Sequence, residues 1–282
     1  MHQIRALSEL HSTAAWHFLA RFEESSLFLI NNLRNFGPRA NDHFNSGNFK
    51  LVVDDEQNIV AIFCLTKRGN LLIQSAEEID PDMILADCQQ EAYPVTGLIG
   101  DWASVEPVYQ AYGRRKSDFK PTLFSKEILF RLDLNFAPGD RDPRVRLLNA
   151  DEFEAWFRLR KAFDRECGIP ESLSEADYWR EFKEATVNGS HWGLFENKEL
   201  RSIAALNSES DSVGQVGGVF TPKSFRNRGY SQATMRTLLV DCQYKRQHHK
   251  SVLFTREDNV KAQSVYRALG YQSIGYFAII MF

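Results

Sequence analysis

The sequence predicts two consecutive α/β domains, and three observations predict it. The chain has 282 residues, more than one small domain needs and comfortable for two. Apolar residues in both halves switch between the alternation of strands and the longer repeat of amphipathic helices. Between the halves, Asn135-Phe-Ala-Pro-Gly-Asp-Arg-Asp-Pro143 gathers proline, glycine and charge between two strand-like runs, as a linker does. The expected domains are residues 1–138 and 143–282. Hydrophobic residues at 43% and charged residues at 25% let each half bury a core and keep a polar surface.

The second half reads element by element. Val145 to Leu148 is a short strand. Asn149 and Glu152 are spaced as an N-cap and its reciprocal partner, opening a helix with Phe153, Trp156, Phe157 and Phe163 inward. A second helix starts near Ser174, with Tyr178 and Phe182 one turn apart. Strands follow at His191 to Glu196, Leu200 to Asn207 and Val213 to Thr221, joined by turns too short for crossovers and hence antiparallel. Met235, Leu238, Leu239 and Cys242 mark the buried stripe of the next helix. Ser251 to Thr255 is a strand, and Asn259 caps a helix burying Ala262, Val265, Tyr266 and Leu269 before Gly270 ends it. Two short strands, Tyr271 to Ile274 and Tyr276 to Met281, close the chain.

In the first half, a long helical stretch from Ser8 to Phe36 precedes strands at Phe49 to Val53, Ile59 to Leu65 and Leu71 to Gln74. A helix from Pro81 to Glu91 follows, then the apolar run Val95 to Gly100 and a helix capped by Asp101 that reaches Tyr112. The similar order of elements suggests an internal duplication, although no run of identities carries it.

The formal charge of -3 and pI near 6.2 lack the basic footprint of a protein that grips nucleic acid. No apolar run is long enough to span a membrane, and the first residues lack a secretory apolar stretch. Cys64, Cys88, Cys167 and Cys242 are scattered without a C-x-x-C pair, which fits a reduced, cytoplasmic protein.

Chemistry concentrates at Val219-Phe-Thr-Pro-Lys-Ser-Phe-Arg-Asn-Arg-Gly-Tyr-Ser231, where a strand enters a turn and a long helix begins at once. Unpaired amides and the positive end of the helix dipole suit a phosphate there. Gly229 allows close approach of the backbone, and Arg226 and Arg228 add charge. Physics alone thus reads a diphosphate site without nucleotide identity. The same spacing also fits a surface turn with two solvated arginines.

Arg226-Asn227-Arg228-Gly229-Tyr230-Ser231 resembles the cofactor loop of the GNAT acetyltransferases, which reads Gln or Arg, two residues, Gly, one residue, then Gly or Ala. Ser231 departs from the last position but is small enough to keep the close approach. The preceding Val-Phe-Thr-Pro is similar to the family's V-x-T-P entry. Downstream, Asn259, Ala262, Tyr266 and Leu269-Gly270-Tyr271 resemble the family's later motif, so the resemblance covers about 144 to 282. It implies a GNAT fold, a mixed and mostly antiparallel sheet flanked by helices, preceded by an α/β domain that is itself a candidate degenerate GNAT-like copy. In that copy the stretch Val95 to Arg115 has no cofactor loop. The whole layout is similar to bacterial two-domain predicted acetyltransferases, with the glycine N-acyltransferase-like branch as nearest comparison.

The resemblance implies an acyl-CoA-dependent N-acyltransferase moving acetyl from acetyl-CoA to a primary amine, small or amino-acid-like, by direct attack. Val219, Phe220 and Thr221 would pair with the pantetheine arm, and the amides of Arg228 to Ser231 would hold the pyrophosphate. Asn259 would reach the cofactor arm, and Tyr266 would protonate the leaving thiolate, though Tyr266 also lies on the buried stripe. Candidate bases are Glu196, Glu209 and His191; Gly217 and Gly218 leave space where some relatives place a carboxylate. The rival reading is a CoA-binding sensor or interaction protein without turnover, and a third is a protein-modifying enzyme, which needs an open groove. No metal, membrane or nucleic-acid partner is expected, and a monomer or homodimer is. His248-His249 reads as a solvated basic helix end, Cys167 as a loop thiol, and Trp102, Tyr109 and Tyr112 as core or cleft of the first domain.

Overall fold

The computed structural model describes residues 2–8, 11–116, 119–136, 140–169 and 173–282, and within them one order of elements occurs twice. The first pass is β1 (Gln3–Ala6), α1 (Ser12–Arg21), α2 (Glu23–Phe36), β2 (Gly47–Val53), β3 (Ile59–Thr66), β4 (Asn70–Ser75), α3 (Pro81–Cys88), β5 (Gly97–Asp101), α4 (Trp102–Arg114) and β6 (Leu123–Asp133). The second is β7 (Val145–Leu147), α5 (Phe153–Cys167), α6 (Glu175–Val187), β8 (His191–Glu196), β9 (Glu199–Glu209), β10 (Val213–Phe220), α7 (Tyr230–Tyr244), β11 (Lys250–Arg256), α8 (Val260–Ala268) and β12 (Gln272–Met281). Each pass makes an antiparallel meander and then one parallel pair, β4 with β5 and β10 with β11. The duplication suggested by the sequence therefore extends through the topology.

Two compact units emerge, Met1–Leu129 with Gly275–Phe282, and Phe130–Ile274. The expected division at 138 and 143 does not separate this last strand. Its residues look like the end of the second half in sequence, yet Phe277 to Met281 pair antiparallel with Asp101 to Gly97 of β5. Ala278 and Ile280 are wholly buried in the core of the first unit. Of the expected linker, Ala137 to Gly139 lie outside the described residues.

In the first unit the strands run β1-β2-β3-β4-β5-β12. The single helix expected from Ser8 to Phe36 is two, because the chain leaves helical geometry at Phe22 (φ -122°). Strand β1 was not legible, since an exposed edge strand of four residues carries no apolar alternation. Asp101 caps α4 as expected, accepting from the Ala103 amide at 3.0 Å. Trp102, Tyr109 and Tyr112 are half-buried against the core, and Tyr109 meets Phe124 and Phe119 at ring distances of 5.3 and 5.8 Å.

In the second unit the order is β11-β10-β9-β8-β7. The expected capping box of Asn149 with Glu152 forms, and a second one, Ser174 with Asp177, opens α6. His191 turns toward Trp156 and Phe182, whereas the indole of its neighbour Trp192 donates to Asp241 of α7 at 2.9 Å. Successive strand residues point to opposite faces, so α5 and α6 cover one face of the sheet and α7 the other. Met235, Leu238, Leu239 and Cys242 are buried as read, but in α8 it is Gln263 that is buried beside Tyr266, with Ala262 and Val265 only half-covered. The two closing strands expected from Tyr271 are one ten-residue β12.

Candidate functional site

Strands β10 and β11 pair at Val213 to Gln215 with Lys250 to Val252, and their pairing ends there. The next residues of both, through Phe220 and Arg256, continue as strand without bridging one another. A cleft between parallel strands thus presents backbone N–H and C=O groups that an extended ligand arm can pair with. On the other side, the register of β10 with β9 shifts between Gly217 and Phe220. Gly218 takes a left-handed φ of 58° at this bulge. Both departures from regular pairing therefore fall on one stretch of β10, as bulges near functional sites do.

The expected absence of a carboxylate on this stretch has a steric partner. A side chain at Gly217 would meet the Asn207 amide, whose Nδ2 lies 2.0 Å from where its Cβ would stand. Asn207 itself is exposed beside the bulge. Sequence reading missed it, because cross-strand neighbours are fixed by register and not by spacing.

After Pro222, one helical turn at Lys223–Phe225 leads to Arg226 and Asn227, with Asn227 left-handed at φ 61°. Gly229, φ 76°, is the N-cap of α7, and among the described residues no side chain caps the helix. The first amide bonded within this helix end is that of Ala233, to the Gly229 carbonyl at 2.9 Å. The amides of 230–232 thus stand ahead of the first helical bond at a positive dipole end, the arrangement that holds phosphate oxygens.

The two arginines divide the work. Arg226 donates through Nε to the Thr221 carbonyl at 2.9 Å and through Nη2 to both oxygens of Glu166 on α5, at 2.7 and 2.8 Å. It therefore braces the loop from both sides. Arg228 is exposed, lies 5.7 Å over the Phe225 ring, and makes no ion pair with any described residue. Tyr230 contributes its amide to the helix start while its hydroxyl donates to Glu196 at 2.5 Å. Ser231 is half-buried, so serine fits the loop.

Other expected residues are occupied by the fold. Thr221 is buried and donates to Ser202 at 3.0 Å; Phe220 is buried and Val219 half-buried. Asn259 caps α8, accepting from the Ala262 amide at 3.3 Å and donating to Thr255 at 3.3 Å. Tyr266 is buried, with edge-on contacts to Phe130 and Tyr271 at 6.2 and 6.1 Å.

The three candidate bases are not brought together at the cleft. Glu196 is held by Tyr230 and faces Arg144 at 3.7 Å. Hydrogen bonding by His248 and then the charge of Arg246 keep the Glu209 carboxyl below its ordinary range. His248 is thereby buried, not the solvated residue expected, and only His249 is exposed. Cys167 is the last residue of α5 and not a loop thiol.

Burial beside Trp156, with the nearby Arg160 charge, lowers the His191 pKa to about 4, so the imidazole is neutral near neutral pH. The unfolded chain, with an ordinary histidine, binds the proton first as pH falls below 6.5. Stability carried by neutral His191 is thus complete above pH 6.5 and lost between 6.5 and about 4, at no more than about 1.4 kcal/mol per pH unit. His191→Gln is expected to remove that part of the pH dependence, read by denaturant melts at pH 7 and pH 5.

A cavity of about 380 Å³ opens beside the loop, lined by Ala162, Arg165 and Glu166 of α5 and by Phe220, Pro222 and Lys223. By element order, the matching place in the first unit is the connection from β4 to α3, not the stretch Val95 to Arg115. There the chain carries Glu77 and Glu78, Asp80 caps α3 through the Asp82 amide at 3.0 Å, and Pro81 supplies no amide. Acidic charge and a capped helix start repel the anion that the second unit suits.

Residues 153–271 match the model described as the acetyltransferase (GNAT) family. No curated protein matches the sequence. Solved structures do resemble the fold. An acetyltransferase from the GNAT family of Colwellia psychrerythraea is 14% identical, with 99% of each chain covered and a TM-score of 0.55. A GCN5-related N-acetyltransferase from Sphaerobacter thermophilus is 12% identical over 99% of this chain and 94% of that one, TM-score 0.59. A tandem GNAT protein from the clavulanic acid biosynthesis pathway is 12% identical over 99% and 98%, TM-score 0.55. At these identities the likeness is one of fold.

Proposed function

We propose that this chain, whose residues 153–271 form a domain of the GNAT acetyltransferase family, transfers acetyl from acetyl-CoA to a primary amine of a small molecule. The observation that carries the reading is the coincidence of three features on one path. Along β10 the chain offers an unpaired strand edge, then a glycine bulge, then an uncapped helix start. An acyl-CoA has the same sequence of needs in reverse: a diphosphate, an amide-bearing arm and a thioester. The cavity of about 380 Å³ beside the loop has the size of a small-molecule site.

In this reading the amides after Gly229 and the Arg228 guanidinium hold the diphosphate, and the edge of β10 at Val219 and Phe220, leading to Thr221, pairs with the arm. The acceptor nitrogen attacks the thioester carbonyl carbon directly, the C–S bond breaks, and Tyr266 gives its proton to the departing sulfur. Asn259 acts by fixing the start of α8, which carries Tyr266. The proton of the attacking amine leaves to water, because Glu196 and Glu209 are committed to partners and His191 is too weak a base. Four free cysteines suit a reducing compartment such as the cytoplasm. Among the described residues no helix is long and apolar enough to cross a membrane.

Calorimetric titration with acetyl-CoA tests the reading. One molecule per chain is expected, because the matching place in the first unit is acidic; no binding by the folded protein withdraws the acetyltransferase reading. Turnover with an amine panel then separates an enzyme from a sensor that only binds the cofactor. Tyr266→Phe is expected to lower kcat by about 10- to 100-fold with acetyl-CoA affinity nearly unchanged. If the variant loses its melting transition instead, the ring serves only the core formed with Phe130 and Tyr271.

A further inference from the structure

We propose that the side-chain amide of Asn207 holds the attacking amine of the acceptor beside the glycine bulge of β10. This rests on the acetyltransferase reading and adds to it the residue that orients the nucleophile.

Three observations meet on this side chain. Gln215 of β10 pairs with Ser208 of β9, and the next residue, Val216, pairs with Leu206. Asn207 is therefore the extra residue of a bulge, with no partner across the strand. Its neighbours Leu206 and Ser208 are buried, whereas Asn207 is exposed. The second observation is Gly217, whose φ is not left-handed, so backbone geometry does not call for glycine there. Space does: an added Cβ would stand 2.0 Å from Nδ2 and 2.8 Å from Cγ of Asn207. Any side chain at Gly217 would drive the amide away. Third, the Asn207 amide makes no hydrogen bond with a described residue. A bulge and a glycine thus both serve to lay one unpaired amide over β10.

Its place along β10 is where the thioester falls. With the diphosphate at the start of α7 and the arm along Val219 and Phe220, the reacting end of the cofactor comes to Gly217 and Gly218. The pairing of β10 with β11 has ended just before them, at Gln215 with Val252. Neighbouring polar side chains are spent on the fold. Gln215, two residues before Gly217 and 2% exposed, donates through Nε2 to the Val216 carbonyl at 2.8 Å. His191 is opposite Ala205, itself opposite Gly217, and turns to Trp156 and Phe182 as a neutral ring near neutral pH. A neutral primary amine carries two N–H donors and one lone pair. When Oδ1 of Asn207 accepts one N–H, the lone pair stays free to face the thioester carbonyl carbon. The amide itself takes no proton, so the proton of the attacking amine still leaves to water.

Release of CoA from acetyl-CoA is measured with tyramine, ethanolamine, putrescine and glycinamide, and the variants are compared on the best of the four. Asn207→Ala is expected to lower kcat/KM for the amine by about 10- to 100-fold, with acetyl-CoA affinity and the melting transition unmoved. Gly217→Ala is expected to give a similar loss by pushing the amide aside. The double variant should then be no worse than either single one. Asn207→Asp sets a carboxylate against the amine and favours its protonated, unreactive form. The pH at which kcat is half-maximal should therefore rise by about one unit. A side chain that served only the fold would leave that midpoint in place. Unchanged kcat/KM in Asn207→Ala, additive losses in the double variant, or an unmoved midpoint in Asn207→Asp each overturns the proposal. Failure of the parent reading shows earlier and separately, as absent acetyl-CoA binding or absent turnover of all four amines by the unaltered protein, and it takes this proposal with it.

Discussion

Replacing Arg228 by glutamate is expected to weaken acetyl-CoA binding on the order of 100-fold, with the melting transition unmoved. The two halves of this expectation have separate causes. Arg228 is exposed and without an ion-pair partner among the described residues, so its loss takes from the fold little beyond an exposed stacking contact with Phe225. It stands one residue before the helix start whose amides face the diphosphate, so the new carboxylate sets an anion against an anion. Calorimetric titration at two salt concentrations checks it, and the deficit should shrink as salt rises. Unchanged affinity would remove the loop from the cofactor site. Arg226→Gln offers the contrast. Here the bonds to Glu166 and the Thr221 carbonyl are lost, so the loop itself should loosen.

Deleting residues 275–282 is expected to abolish cooperative folding of the first unit. The segment supplies five register pairs to β5, and Phe277, Ala278 and Ile280 are at most 2% exposed. Burying Phe and Ile side chains contributes about 1.5–3 kcal/mol each, and the deletion also exposes the edge of β5, so the loss is a large part of what holds a domain together. Differential scanning calorimetry on the shortened chain should show the first unit's transition missing. Ile280→Ala, expected to cost about 2–5 kcal/mol, gives a graded version that still folds. If the shortened chain melts as the full one does, the assignment of this strand to the first unit is wrong.

The second half was legible because its signals are local. Asn149 with Glu152 and Ser174 with Asp177 are capping boxes within one turn, and the stripe from Met235 to Cys242 is set by helix periodicity. The anion site was legible for the same reason, since strand, glycine and helix start are consecutive. What escaped was non-local. Glu166 lies sixty residues from Arg226 yet decides that this arginine braces the loop instead of meeting the ligand. Asn207 reaches Gly217 only through strand register. The closing strand carries the ordinary apolar pattern of any buried strand, and nothing in that pattern names the sheet it joins. The candidate bases were chosen by position near strand ends, and their partners Tyr230, Arg246 and His248 lie on other elements.

That closing strand also sets the order of events during synthesis. Chains emerge from the ribosome N-terminus first, and domains commonly fold as they emerge. Here strands β1 to β5 of the first unit are made early, yet the unit waits for residues 275–282, made after the whole of the second unit. Until then β5 keeps an unpaired edge, a template for misplaced pairing with another nascent chain. The half that begins first is finished last, and a ribosome stalled within the second half would leave the first half incomplete as well.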